Sequence, residues 1–287
     1  LWTFPNETWI ENLAVRHTGE ILCTSLNRAA LYSINPFSHI ASTVHQFEAG
    51  DGLLGIAEID FDVFVVASAN VSLTTSTAEE GSAKMWKVDF RQLEPKVSLV
   101  ANLVDVGLPD GIAVLPDTRR LVLLADAAKG VVWSVDTESG DYAIVTQNEA
   151  FIPTNSQIPL GIDGIHISNG YLFFTNFGNN LLGRLQISVN GTARGRVETI
   201  ASLAHPDDFA VAKNGLIYVA GDNTLYRVSL NGSVSILAGG SNDPTLEGCT
   251  SAQFGRTSLD HDVLYIGTNG GILSPVDGIH GGQVLAL

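Results

Sequence analysis

A chain of 287 residues that is 45% hydrophobic and only 16% charged has the apolar material for many buried strands. It contains no run of the roughly eighteen apolar residues that a membrane span needs. Its formal net charge of −15 argues against nucleic acid and against an anionic membrane surface as partners.

The first four residues, LWTF, read as a short strand, and six strand–turn–strand segments follow. They open at Glu11 (ENLAVRHTGEILCTS), Leu54 (LLGIAEIDFDVFVVAS), Asp110 (DGIAVLPDTRRLVLLAD), Asp163 (DGIHISNGYLFFTN), Asp207 (DDFAVAKNGLIYVAG) and Ala252 (AQFGRTSLDHDVLYIGT), at spacings of 43 to 56 residues. Short runs of Val, Ile and Leu bounded by Gly, Pro and Asp are strand signals, and repeats of this period signify a β-propeller. The third unit is the clearest: Asp110 to Leu115, Leu121 to Ala125, Val131 to Asp136 and Asp141 to Val145 form four antiparallel strands. The expected fold is therefore all-β, a single six-bladed propeller domain over residues 1–287 with four-stranded blades. The sixth unit has two strands, a Gly-rich loop from Asn269 to Gly282 and a third strand from Gln283 to Leu287. LWTF is the natural supplier of its fourth strand, which would remove an open sheet edge.

In such a fold the long loops share one face, where a site is expected to open. Glu11, Asp110, Asp163 and Asp207 begin inner strands at that face. Converging carboxylates repel unless a cation, protons or hydrogen bonds compensate. The competing reading is that Asp-Gly before a strand is turn chemistry, with the carboxylate accepting backbone N–H groups. Asp126, Asn176, Asp222 and Asn269 end second strands and are either turn formers or substrate-binding groups. Trp9, Phe151 and Phe177 either wall an apolar pocket or pack blade junctions. His166 lies two residues into an inner strand beyond Asp163, as a core histidine or a channel-lining acid or base. His205 precedes Pro206-Asp207-Asp208 near the same mouth, and the Ser- and Thr-rich stretch from Ser68 to Ala83 reads as a lid or a solvated loop. The chain has no Gly-x-Ser-x-Gly elbow, His-Glu-x-x-His pair, phosphate loop or Cys-x-x-Cys. A serine-triad hydrolase, a zincin and a nucleotide enzyme are thereby disfavoured.

Four N-glycosylation sequons begin at Asn6, Asn70, Asn190 and Asn231, and the last two are also Asn-Gly hairpin turns. With a first residue that is Leu, they lead us to expect a glycoprotein of the secretory route whose signal peptide has been removed. Cys23 and Cys249 are the only cysteines. Closure of the propeller would make their blades neighbours, so they are either a disulfide stapling the fold or two separate thiols.

The entry motifs Glu11, Pro109-Asp110-Gly111, Asp163-Gly164 and Pro206-Asp207 resemble those of the gluconolactonase, regucalcin and senescence-marker propellers. The resemblance implies a divalent cation, usually calcium, held by Glu11, Asp163 and Asp207, with Asp110 on the substrate side. Asp163 stands where that family has Asn. The phrases TWIENLAVR, GLLGIAEIDFDVFVV, KMWKVDF, VVWSVDTESGDY, PLGIDGIHISNGYLFFTN, DDFAV and AQFGRT are similar to a fungal secreted branch, the hetero-Diels-Alderase-like proteins, along essentially the whole chain. That branch implies an intermolecular [4+2] cycloaddition between a tropolone o-quinone methide and a humulene-type sesquiterpene alkene in meroterpenoid biosynthesis. Such a pericyclase needs apolar small-molecule substrates and no cofactor, nucleophile or general base. The alternatives are a metal-dependent lactonase and a non-catalytic binding propeller. No motif assigns catalytic residues for the cycloaddition.

Overall fold

A computed structural model describes residues 1–287. The chain is a six-bladed β-propeller, each blade an antiparallel sheet of four strands. The only helical pieces are two single 3-10 turns, Glu149–Phe151 and Pro244–Leu246, and no helix is long and apolar enough to cross a membrane. The residues gather into two compact units, one made of Leu1–Leu53 with Pro206–Leu287 and the other of Leu54–His205.

The first unit carries blades one, five and six. Their inner strands are Ile10–Val15, Pro206–Val211 and Cys249–Phe254. Blade six is completed as expected: Trp2 pairs with Val284 and Thr3 with Gln283, so an N-terminal strand closes the sheet built from the C-terminal end. Apolar clusters fill the spaces between blades. Phe4, Ile10, Leu13, Cys23, Ile34, Tyr265 and Val284 pack between blades six and one. Ala210, Ala220, Leu225, Leu246, Cys249, Leu264 and Ile266 pack between five and six. The two cysteines thus belong to separate clusters and remain free thiols, so the disulfide considered from the sequence is not formed. Burial pushes the Cys249 thiol up to about 12, and the Cys23 thiol is raised by the same cause.

The second unit carries blades two, three and four, and Leu123, Ile165 and Phe174 are among the buried residues of its core. Strands of blade three run Pro109–Val114, Leu121–Asp126, Val131–Asp136 and Tyr142–Gln147, within two residues of the sequence reading. In blade four, Ser168 faces Tyr171 across a two-residue Asn169-Gly170 turn with both φ positive, at 51° and 76°. Inner strands come so close that side chains are excluded. A Cβ on Gly55 would lie 2.1 Å from the Asp110 carbonyl oxygen, and one on Gly111 2.6 Å from that of Asp163. The stretch from Ser68 to Ala83, expected as a lid or a solvated loop, is exposed or half-exposed over residues 70–82. It folds on itself as a small hairpin pairing Val71–Ser72 with Thr77–Ala78.

Candidate functional site

Four of the inner strands share one irregularity near their start. Glu11-Asn12 together face Thr24, because Ile10 pairs with Ser25 and Leu13 with Cys23. Asp110-Gly111 face Ala125, Asp163-Gly164 face Thr175, and Asp207-Asp208 face Ala220 in the same way. Two residues opposite one is a β-bulge, which bends the strand and re-aims a side chain. Each carboxylate singled out in the sequence (Glu11, Asp110, Asp163 and Asp207) is the first residue of such a bulge. In blades one and four a threonine fastens the bulge from the second strand. The Thr24 hydroxyl accepts from Asn12 N–H at 2.9 Å and donates to its carbonyl at 3.3 Å, and Thr175 donates to the Gly164 carbonyl at 3.3 Å.

In the first unit the bulges of blades one and five meet. Asn12 Nδ2 donates to Asp208 Oδ2 at 2.8 Å. Each of the two also accepts the next backbone N–H along its own strand, Leu13 N to Asn12 Oδ1 at 2.8 Å and Phe209 N to Asp208 Oδ1 at 2.7 Å. Beside this pair Glu11 is only 7% exposed, and the Trp9 indole N–H donates to its Oε2. The Glu11 carboxyl is pushed up from its ordinary 4.5 to about 7. Burial is the chief cause and the Asp208 charge adds to it, while the Trp9 hydrogen bond works the other way. Near neutral pH Glu11 is therefore a mixture of acid and carboxylate. With Oε2 accepting the indole N–H, the acid form carries its O–H on Oε1, where it is a hydrogen-bond donor.

Asn12 and Asp208 escaped the sequence reading, though the signal was there. Laying ENLAV over DDFAV puts Asn12 and Asp208 in register at the second bulge position. Asp207, expected from its place at the start of an inner strand, is half-buried, whereas Asp208 is the buried member of that pair.

In the second unit Asp110 and Asp163 are buried at their bulges. Asp126 is fully enclosed and takes four donors: Gly107 N at 2.8 Å, Leu108 N at 3.1 Å, Lys129 N at 3.0 Å and Trp133 Nε1 at 3.1 Å. That fills the acceptor positions of a carboxylate and makes Asp126 a staple for its loop, with nothing to spare for a substrate. Asn176 does similar work, donating to the Ala150 carbonyl at 2.9 Å and accepting Asn179 N–H at 3.0 Å. In the first unit Asn269 accepts Gly271 and Ile272 N–H groups, and Asp222 sits in a tight turn at φ 46°. Of the three aromatics, Phe151 takes the packing alternative and is core. Its 3-10 turn, capped by Asn148, swings the ring against Phe174 at 4.8 Å. Trp9 is buried on Glu11, and only Phe177 is half-exposed, stacked on His205 at 5.2 Å. His166 is half-buried opposite Phe173. A cleft of about 410 Å³ opens in this unit between Lys129–Val131 and Gln147–Ile152.

The propeller resemblance implies a divalent cation held by Glu11, Asp163 and Asp207. Nowhere are three or more His, Cys, Asp or Glu side chains gathered so as to hold a metal. One Glu11 oxygen already faces an N–H donor. As arranged, these residues do not fit the cation. All four sequon asparagines, Asn6, Asn70, Asn190 and Asn231, are exposed.

No known protein-family profile matches the chain. It is 29% identical over 301 residues to a protein of a Phoma species named "Putative hetero-Diels-Alderase", a match covering 94% of this chain and 86% of that one. A protein of Sarocladium schorii bearing the same name is 29% identical over 305 residues, covering 92% of this chain and 76% of its own. Among solved structures, a luciferin-regenerating enzyme superposes with a TM-score of 0.69 at 13% identity, over 99% of this chain and 93% of that one. Regucalcin of Agrobacterium tumefaciens (TM-score 0.67, 13% identity, 98% and 90% covered) and a gluconolactonase of Xanthomonas campestris (0.65, 12%, 99% and 88%) share the fold. The chain thus resembles the hetero-Diels-Alderase-like proteins on a gluconolactonase- and regucalcin-like propeller.

Proposed function

We propose that this chain is a pericyclase that joins an o-quinone methide of the tropolone type to a humulene-type alkene by an intermolecular [4+2] cycloaddition. The observation that carries the reading is the resemblance to two proteins named for hetero-Diels–Alder chemistry over nine-tenths of the chain. The reaction calls for holding two partners in a near-attack pose and for stabilising charge that grows on the quinone-methide oxygen. Glu11 in its acid form is the group we assign to that oxygen. Trp9 fixes its rotamer through Oε2, and burial, with the Asp208 charge adding to it, keeps its proton affinity high. Two bonds form between the partners as the diene and alkene π bonds are consumed, so no proton, metal or redox cofactor enters the balance. The exposed sequons support placing the protein in the secretory route.

The test offers purified protein a quinone methide generated in place together with humulene, and separately a panel of sugar and aryl lactones, each with calcium or with excess chelator. Expected is an enantioenriched adduct that persists in chelator. Its rate should fall as pH rises through about 7, since the acid form of Glu11 is the donor. Glu11→Leu should slow it about 100-fold, the usual effect of losing one such donor. Racemic product, or lactone opening that vanishes with the metal, refutes the assignment.

A further inference from the structure

The loops between second and third strands are short in four blades: residues 26–29, 127–130, 177–180 and 222–223. Blades two and six depart from this, with residues 70–83 and 269–282. The two long loops have opposite characters. The one in blade two is rich in Ser, Thr and Glu and spends its length on a hairpin of its own. The one in blade six forms no strand pair, and between Gly271 and Ile279 it carries Ile272, Leu273, Val276 and Ile279 with a single charged side chain, Asp277. Leu273 is 50% exposed, Val276 37% and Ile279 45%.

This loop is nevertheless held firmly. Glu247, only 5% exposed, lies beneath it and accepts the N–H groups of Val276 and Asp277 on one carboxylate oxygen. Asn269 accepts those of Gly271 and Ile272, and His280 N–H returns to the Gly270 carbonyl at 2.9 Å. Burying a carboxylate is costly unless it is hydrogen-bonded, and here its bonds go to the backbone of an otherwise irregular loop. A solvated connector would be polar and needs no such anchor. Three aliphatic side chains displayed to water on a fixed backbone are what an apolar recognition surface requires, because little ordering remains to oppose binding. The loop also abuts the site. Glu7 N–H donates to the His280 carbonyl at 3.1 Å and Gly282 N–H to the Thr8 carbonyl at 2.7 Å, and Glu7-Thr8 lead directly into Trp9 and Glu11.

We propose that residues 271–279, pinned by Glu247, are the recognition element for the hydrocarbon partner, with Leu273, Val276 and Ile279 contacting the alkene beside the Glu11 bulge. This rests on the cycloaddition reading for the identity of the alkene but is tested by binding alone. Humulene binding is measured by equilibrium partition on the full chain, wild type and the triple variant Leu273→Ser/Val276→Ser/Ile279→Ser, whose exposed positions leave the core untouched. Glu247→Ala, with its fold checked by circular dichroism, is the second variant.

The triple variant should weaken humulene binding at least tenfold and raise the KM for the alkene equally, with the KM for the quinone methide and the kcat at saturating alkene unchanged. Glu247→Ala, with the three aliphatic groups intact but their backbone released, should weaken binding several-fold. Wild-type affinity in the triple variant, or no humulene bound by the wild type, overturns the proposal. Humulene bound by the wild type and lost in the triple variant, with no adduct formed by either, supports the loop and removes the reaction.

Discussion

Asp126 and Glu11 are both enclosed carboxyl groups in a four-stranded blade, and the fold treats them in opposite ways. Asp126, at the end of a second strand, is surrounded by four N–H donors, three from the backbone of two loops and one from an indole. Glu11, in an inner-strand bulge, has one indole donor and an acidic neighbour. The difference teaches that burial alone does not mark a functional acid. What matters is whether the polypeptide around it solvates the charge. Where it does, the group is structural; where it does not, the proton is retained and the group can act as an acid.

The largest effect that would break this contrast is at Asp126. Asp126→Ala strands four donors and should destabilise the protein by about 4 kcal/mol, read as a lower urea midpoint with an unchanged slope. A loss below about 1 kcal/mol would mean that solvent or relaxation replaces the staple. Next comes Glu11, where the effect is tied to pH. Its folded proton affinity lies above the ordinary 4.5, so the unfolded chain releases the proton first as pH rises. Its contribution is therefore fully present below about 4.5, declines between 4.5 and about 7, and is constant above. The span corresponds to roughly 3 kcal/mol, at about 1.4 kcal/mol per pH unit. Glu11→Gln should flatten that decline, with stability equal to or above wild type at pH 8, as denaturant titrations at pH 5 and 8 would reveal. A smaller effect belongs to the fastening. Thr24→Val removes the hydroxyl that takes the Asn12 N–H and should cost about 1–2 kcal/mol. Because it loosens the bulge, it should also shift the pH of the Glu11 transition, which a purely structural role would leave in place. The smallest is the surface pair Arg91–Asp89, whose guanidinium holds Asp89 down at about 2. Arg91→Ala should leave the urea midpoint unchanged at high salt.

The propeller frame is legible in the sequence because strand pairs are bounded by Gly, Pro and Asp at every turn, and Trp2-Thr3 finds its place by elimination of a missing strand. Much of the site is not, because a bulge is a relation between two strands. Asp207 and Asp208 both stand opposite Ala220, so which of them turns inward is set by the bulge, and no property of either residue states it. The same holds for Phe151, an aromatic on a long loop that a single capped turn rotates into the core. Glu247 was invisible for another reason. Its partners are backbone N–H groups about thirty residues away in a segment without periodicity.

The closure of blade six also governs how the molecule is made. Residues 54–205 form a contiguous stretch that can condense as it leaves the ribosome. Residues 1–53 belong with 206–287, so a segment made before the second unit must wait for one made after it. At ordinary translation rates of about 5–20 residues per second, that wait is on the order of ten to fifty seconds. Throughout it, the inner strand Ile10–Val15 and the two residues Trp2-Thr3 have no partners from blade six. A nascent chain in this state displays an unpaired sheet edge, and chaperone demand should track the time between those two events.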